Sequence, residues 1–456
     1  MSDISDTIQK MRNYFNAGTT ISYSSRIANL DKLKKAINKY EDNLIIALHE
    51  DLGKSPEESY ISEISIIKGE IKSVEKHLYK FMKKRRVSTP LIHFPAESYR
   101  INNPLGLVLI MSPWNYPVQL TLSPLIAAIA AGNCVVLKPS RYSSSSSSVI
   151  KTMIEEFFDE NFITTFEGGS EMNQALLDEK FDLIFFTGSP MVGHIVMEKA
   201  SKNLTPIVLE LGGKSPVYID SSADIELTAQ RIAWAKYLNA GQTCVAPDYV
   251  LVHKDVYMPF VTALKNEIIN MYGINAVANE EFPKIINEKH FNRLLKLLQM
   301  GTLVHGGEID KNKLKIAPSV LISVNENSPL MQEEIFGPIL PVMQVESFED
   351  AMEFINHRAH PLALYIFTKN QKQIGYYENN LAFGGGCIND CIIHLSNPNL
   401  PFGGIGDSGM GSYHGKTGLE TFSHSKSIMK RHFFFDIKLR NPPLKGKLKQ
   451  LKFLLK

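Results

Sequence analysis

Apolar positions along the chain change period near residue 104. From about residue 5 to residue 80 they recur at three and four positions, in segments such as Leu44-Ile45-Ile46-Ala47-Leu48, and predict long amphipathic helices. A basic, proline-containing stretch from Lys83-Lys84-Arg85-Arg86 to Pro95 breaks the pattern and reads as a solvated connection rather than a nucleic-acid contact. After Pro104 short apolar runs alternate with helical segments. Leu107 to Met111, Cys134 to Leu137, Leu183 to Phe186 and Pro206 to Leu209 are predicted strands. Helices are predicted at Leu122 to Ala131, from about Tyr142, and after Pro190. That order implies a parallel sheet covered on both faces by helices. Ser143 to Ser148 could be a disordered linker, but they stand where the alternation calls for a helix start. Beyond residue 244 the alternation resumes, with a strand at Tyr249 to Val252 and a helix at Val256 to Met271. A helix-rich region and strands at Ile339 to Val345 and Leu362 to Phe367 follow, which implies a second α/β domain.

Composition narrows the class. The chain has 456 residues, 44% apolar and 21% charged, enough for two or three substructures with their own cores. A formal net charge of +2 gives no global sign of a nucleic-acid partner, and none is expected. Seven Lys or Arg and no acid fall between Ile437 and Lys456, which leaves the remainder at about −5. Four scattered cysteines (134, 244, 387, 391) do not make a disulfide framework. Cys387 and Cys391 lie near His394, but no second Cys or His pair completes a zinc set, so no metal is expected. The polar N-terminus and the lack of an apolar run of about 20 residues predict a cytoplasmic protein.

Four polar clusters fall at predicted strand ends, where open parallel sheets bind ligands. They are Trp114-Asn115, Lys138-Pro139-Ser140, Thr187-Gly188-Ser189 and Glu210-Leu211-Gly212-Gly213. Gly188 and Gly193 flank a predicted helix start, where backbone amides favour a pyrophosphate. Cys244 lies in a small-residue loop, Gly241-Gln242-Thr243-Cys244-Val245-Ala246-Pro247, downstream of Glu210. A thiol nucleophile and a water-activating carboxylate are the two parts needed to make and then hydrolyse a thioester. Asn115 offers a side-chain amide for an oxyanion. Taken singly, each of these residues could be a buried cysteine, a turn residue or a surface lysine; their convergence points to aldehyde oxidation.

These motifs resemble the aldehyde dehydrogenase superfamily from about residue 5 to residue 430. The residues that carry the likeness are Pro113-Trp114-Asn115-Tyr116-Pro117, the stretch from Leu209 to Pro216, Gly241-Gln242-Thr243-Cys244 and Glu333-Glu334-Ile335-Phe336-Gly337-Pro338. The stretch from Pro401 to Lys416 resembles the class 3 branch, which includes fatty and aromatic aldehyde dehydrogenases. The resemblance implies an α/β fold with a Rossmann-type cofactor domain (1–85 and 104–211) and an α/β catalytic domain (212–417). It also implies a small oligomerisation β-element (86–103 and 418–437), followed by a basic tail (438–456). It implies NAD(P)-dependent oxidation of apolar aldehydes, medium- to long-chain aliphatic or aromatic, to carboxylic acids. Cys244 would form a thiohemiacetal and then a thioester, Asn115 and the Cys244 N–H would hold the oxyanion, and Glu210 would activate water.

By the same likeness, Lys138 bonds the adenosine ribose, the segment with Thr187, Gly188, Ser189 and Gly193 faces the cofactor phosphates, and Leu211 lies at the cofactor. Glu334 would bond the nicotinamide ribose, with Phe336 close by. Where relatives that prefer NAD often carry Glu, this chain has Arg141; it either meets a 2′-phosphate, so that NADP is at least tolerated, or turns to solvent. Homodimerisation is expected from the resemblance alone.

In the tail, Leu444, Leu448, Leu451 and Leu455 recur at helical spacing beside lysines. Such a helix fits the protein's own surface, a partner subunit, or weak contact with an anionic membrane surface. The principal alternative activity is acylation of coenzyme A, which a water-activating Glu210 argues against. A cysteine hydrolase without redox chemistry and a non-catalytic binding protein each leave part of the set unexplained.

Overall fold

Two sheets, parallel except at one edge pair in each, organise the chain in a computed structural model that describes residues 2–434, 436 and 438–454. The first sheet is six-stranded, ordered Gly409–Met410, Ile207–Glu210, Leu183–Thr187, Leu107–Met111, Cys134–Lys138, Ile163–Thr165. All its pairings are parallel except that of Gly409–Met410 with Ile207–Glu210. Leu107–Met111 is fully buried between Cys134–Lys138 and Leu183–Thr187, which explains why its sequence is an unbroken apolar run. The strand order reverses direction at this central strand, so a ligand crevice opens beyond the carboxyl ends of Leu107–Met111 and Leu183–Thr187. The helix Gln119–Ala131 is buried on every side and ends at Gly132, whose φ of 95° makes a left-handed cap.

The second sheet is seven-stranded, ordered Thr302–His305, Ser319–Ile322, Ile339–Val345, Tyr249–His253, Pro216–Ile219, Ala363–Phe367, Gly385–Ile388. A three-stranded antiparallel sheet joins Arg85–Val87, Ala96–Pro104 and Ser423–Arg431, the last two in unbroken register over nine pairs. Among the described residues, no helix is long and apolar enough to cross a membrane.

The structure departs from the sequence reading at several places, three of which bear on the fold and the tail. The region between Tyr272 and Ile339 is not helix-rich: it holds the helix Glu288–Leu297, the single turn Pro329–Gln332 and four short strands. Gly301, Gly306 and Gly307 interrupt this stretch; at Gly306 the φ is 75° and an added Cβ would lie 2.1 Å from the Pro318 oxygen. Pro216–Ile219, fully buried inside the second sheet, escapes prediction because it is four residues long and begins with proline. Among the described residues of the tail the α-helix spans Leu448–Leu454, Leu444 precedes it, and Leu455 lies outside the described residues. Leu444, Leu448 and Phe453 are exposed, and Leu451 is half-buried.

The serine run is helical, over Ser144–Phe157, with Ile150, Met153 and Ile154 buried. Ser143 makes no capping bond. Asp51, at the end of a long N-terminal helix, accepts instead from Ser145 N at 3.2 Å and Ser146 N at 2.8 Å. A carboxylate from a neighbouring helix therefore does what the N-cap residue does elsewhere. Replacing Asp51 with Ala should lower unfolding stability by about 1–2 kcal/mol, the usual value of such a cap, and Ser143→Ala by less than half of that. Equal denaturant midpoints for Asp51→Ala and the unmodified chain would remove that role.

Candidate active site

The loop before Cys244 is built by backbone geometry that few sequences permit. Asn239, Ala240 and Gly241 have φ values of 53°, 50° and 73°, a left-handed run that ends the preceding helix abruptly. At Gly241 an added Cβ would lie 2.3 Å from the Gly337 oxygen, so glycine is required there. The side chain of Gln242 fastens the turn, donating to Asn239 O and Lys284 O at 3.0 Å each and accepting from Ile286 N at 3.0 Å. Tyr116 Oη and Thr243 Oγ1 are 2.7 Å apart, and Tyr365 Oη donates to Val245 O at 2.7 Å. Every residue flanking the thiol is thus held from outside the loop.

Cys244 opens on a cavity of about 260 Å³ whose walls include Ile61, Leu120, Trp234, Leu238, Ile392 and Phe402. Glu210, Thr187 and Leu211 line the same cavity. Glu210 and Thr187 are register partners at adjacent strand ends, which explains why two sequence-distant motifs arrive together. The Asn115 side chain donates through Nδ2 to Gln242 O at 3.0 Å, two residues before the thiol. That bond uses one amide hydrogen and leaves the second for another acceptor.

The remaining expected residues lie around the crevice but do not form the cavity wall. Lys138 ends its strand almost fully buried and donates to Pro139 O at 2.8 Å. Burial, with Arg141 adding repulsion, lowers its pKa to about 8. Arg141 is exposed and lies beside the Tyr142 ring and Gly169. Gly188 N donates to Glu210 O at 3.0 Å, and the helix Pro190–Ser201 begins immediately after Ser189. A Cβ at Gly193 would lie 2.8 Å from Leu211 Cδ2, so glycine lets this helix approach its strand closely. Glu334 lies against Gly212, and Phe336, at φ 48°, meets Trp114 edge-on with ring centroids 5.3 Å apart.

The enclosure sets the charge states. Burial raises the Glu210 carboxyl well above its usual range, and both of its oxygens lack a hydrogen-bond partner. Burial, then Asp248, raises Glu334 to about 8, and its Oε1 is also unpartnered. Burial pushes the Cys244 thiol up to about 12, with Glu334 and Glu210 adding to the effect.

Several residues that shape the site gave no signal in the sequence. Lys54 and Glu63 form a salt bridge of 2.6 Å with both side chains fully buried, and Lys54 also donates to Asn115 O at 3.4 Å. Glu58, raised to about 7 by burial, accepts from Asn239 N at 2.8 Å. Lys214 bonds Asp248, Leu330 O and Glu333 O and so fixes the segment that carries Glu334. Ile392, a β-branched residue at φ 51°, presses into the cavity wall. Only a signal for burial of these side chains could have revealed them, and a charged residue in a polar stretch carries none.

The chain matches the model of the aldehyde dehydrogenase family over residues 1–428. It is 45% identical over 458 residues, spanning 100% of both chains, to the 4,4′-diaponeurosporen-aldehyde dehydrogenase of Staphylococcus aureus. It is 42% identical over 450 residues to the dimeric NADP-preferring aldehyde dehydrogenase of Rattus norvegicus, covering 98% of this chain and 99% of that one. A solved structure described as the substrate-bound state of Staphylococcus aureus AldH superposes with a TM-score of 0.98 at 45% identity, covering 99% of each chain.

A thiol with its pKa pushed up to about 12 is almost wholly protonated at neutral pH in the free protein. Alkylation of Cys244 by iodoacetamide should therefore be slow near neutrality and rise about tenfold per pH unit up to about pH 10. A rate already level from neutrality upward would mean a thiolate stands ready before any ligand binds.

Proposed function

The chain belongs to the aldehyde dehydrogenase family, oxidoreductases acting on aldehydes, and from that premise we propose that it oxidises apolar aldehydes to carboxylic acids through a Cys244 thioester. The observation that carries this reading is that Cys244 and Glu210 share one largely aliphatic and aromatic cavity, with the Asn115 amide bonded into the cysteine loop. Cys244 Sγ, its proton passed to solvent, attacks the carbonyl carbon, and the resulting oxyanion takes the free amide hydrogen of Asn115 and the Cys244 N–H. The thioester forms when the adduct loses its hydrogen as hydride, for which a nicotinamide held in the crevice would be the acceptor. Preorganised donors of this kind are worth about 2.7–4 kcal/mol each in transition-state stabilisation. Glu210 then accepts a proton from water, which attacks the thioester and releases the acid and the thiol. Burial raises its pKa, so that in its ionised form it is a stronger base than an exposed carboxylate.

The residues fit a nicotinamide dinucleotide. Unpartnered Thr187 Oγ1 and Glu334 Oε1 stand at the crevice, and the helix start after Ser189 and the glycines at 188 and 193 leave room for a pyrophosphate. Lys138 would hold the adenosine ribose, Glu334 the nicotinamide ribose, and Leu211 and Phe336 the apolar faces. NAD or NADP bound there supplies the acceptor for the hydrogen the aldehyde loses. Arg141, exposed beside Gly169, is the group that would meet a 2′-phosphate, and the NADP preference in the rat relative's name favours that reading. Coenzyme A as acyl acceptor is disfavoured, because a carboxylate at 210 beside the thiol spends the thioester on water. Apolar substrates are favoured by the walls around Trp234, Leu238 and Phe402, and the staphylococcal relative is named for 4,4′-diaponeurosporen-aldehyde.

The same proposal keeps the division into a dinucleotide-binding part (1–85 and 104–211), a catalytic part (212–417), an oligomerisation element (86–103 and 418–437) and a basic tail. It also places the protein in the cytoplasm.

The first test is reduced-nicotinamide formation with decanal and no coenzyme A, with NAD and NADP at equal concentration. Turnover is expected with both, and Glu210→Gln should give one equivalent of reduced nicotinamide and then stop. A requirement for coenzyme A would overturn the hydrolytic reading. In the same assay Arg141→Glu should lower the NADP/NAD ratio of kcat/KM by about tenfold, the worth of one charge-assisted hydrogen bond of roughly 1.5–3 kcal/mol taken at its lower end; an unchanged ratio places Arg141 in solvent. A homodimer is expected in sedimentation equilibrium. Deleting residues 442–456 should leave the dimer intact and abolish cosedimentation with anionic vesicles; retained cosedimentation, or none before deletion, ends the tail's membrane role.

A further inference from the structure

Lys54 is a buried ammonium beside the proposed oxyanion site, and the chemistry above does not use it. It lies between the long helix Tyr23–Leu52 and the turn Pro56–Ser59, with a side chain 0% exposed. Its partner Glu63 is equally buried and sits in a π-helical turn, Tyr60–Ile64, whose Ile61 and Ser62 wall the cavity. The two carboxylate oxygens of Glu63 do different work. Oε1 takes Lys54 Nζ at 2.6 Å, and Oε2 takes Val118 N at 2.8 Å and Gln119 N at 3.0 Å, the free amides at the start of the helix Gln119–Ala131.

Lys54 reaches from there to the Asn115 peptide oxygen at 3.4 Å, which Asn239 Nδ2 also bonds, at 2.8 Å. The face of the Tyr116 ring lies 4.0 Å from the ammonium, and its hydroxyl is 2.7 Å from Thr243 Oγ1, next to the nucleophile. Residues 115 to 119 are therefore gripped at both ends by one ion pair. With two donors on the Asn115 carbonyl, its peptide plane is fixed and only side-chain rotation remains, which the bond to Gln242 O limits in turn.

We propose that Lys54 and Glu63 are positioning residues of the oxyanion site: their ion pair sets where the Asn115 amide stands relative to Cys244. The proposal rests on the reading of Asn115 as the oxyanion donor. Stability alone does not explain a fully buried pair, because apolar side chains of the same volume generally serve a core as well or better. A catalytic donor, in contrast, must be held to about 0.5 Å, which a charged clasp with directional bonds provides and an aliphatic contact does not.

The test replaces the pair together, as Lys54→Met with Glu63→Leu, so that no single charge is left buried. Two rates are read on the full-length protein: single-turnover reduced-nicotinamide formation with decanal, and alkylation of the Cys244 peptide by iodoacetamide, followed by mass spectrometry. Alkylation consumes the thiolate but makes no oxyanion. The expected result is a fall of tenfold or more in the first rate, with the second changed less than twofold and aldehyde KM nearly unchanged. Retention of the first rate, or an equal fall in both, would overturn the proposal. If the double variant does not fold, Glu63→Gln, which keeps the shape and one acceptor oxygen, is judged by the same two rates. Asn115→Ala serves as the control: if it leaves single-turnover formation unchanged, the reading of Asn115 has failed; if only the Lys54/Glu63 variants leave it unchanged, that reading stands and this proposal has failed.

Discussion

The hydrogen bond from Asn115 Nδ2 to the Gln242 carbonyl is 3.0 Å long, buried, and joins segments 127 residues apart. One segment leaves the central strand of the first sheet, and the other leads from a helix of the second into the cysteine loop. Neither could hold its shape alone: the first is a run of turns, and the second has three successive left-handed residues. Gln242, Thr243 and Val245 are each anchored by a different distant element, so the loop is a rigid object made of contacts foreign to it. The site is in this sense a property of the seam between the sheets and of neither sheet by itself.

The seam is also deeply buried, and burial has consequences for charge. Among the described residues around it are a carboxyl with no partner on either oxygen, a second carboxyl with one free oxygen, and a hydroxyl with none. Each such group in a low-polarity environment lowers net stability, and a chain tolerates it only where the surrounding core is extensive. Here the buried strands and helices on both sides form one continuous apolar cluster, from the N-terminal helices to Phe422. The same low polarity that raises the pKa of the thiol and of both carboxyls would strengthen every hydrogen bond made to a developing oxyanion.

How much of this was legible depended on whether the deciding interaction was local. Leu107–Met111 and Cys134–Lys138 announce themselves because burial on both faces demands uninterrupted apolar residues. Pro216–Ile219 does not, although it is as deeply buried, because four residues after a glycine pair carry too little pattern. The serine run reads as a poor helix until Asp51 is seen at its start, and that carboxylate comes from 95 residues away. The tail illustrates the converse: its leucine spacing is helical from Leu444, yet with Leu444 and Leu448 exposed the described helix begins only at Leu448. The residues proposed for the chemistry stand out as motifs and by likeness to a family. Their support was not: Lys54 in Gly53-Lys54-Ser55-Pro56 looks like any surface lysine, and only tertiary pairing with Glu63 puts it out of water.

The short strand Gly409–Met410 bonds antiparallel along Ile207–Glu210 and closes the edge of the first sheet beside the carboxylate. Phe422, from the same late stretch, stacks on Phe185 at 5.7 Å under the neighbouring strand. During synthesis the first sheet is therefore unfinished until nearly the whole chain has left the ribosome, although its other five strands lie between residues 107 and 210. Until then the strand that ends in Glu210 is a bare edge, open to pairing with any extended segment nearby. The nascent protein thus carries its aggregation hazard at the strand its proposed chemistry most needs, and the last tenth of the chain acts as that strand's cover.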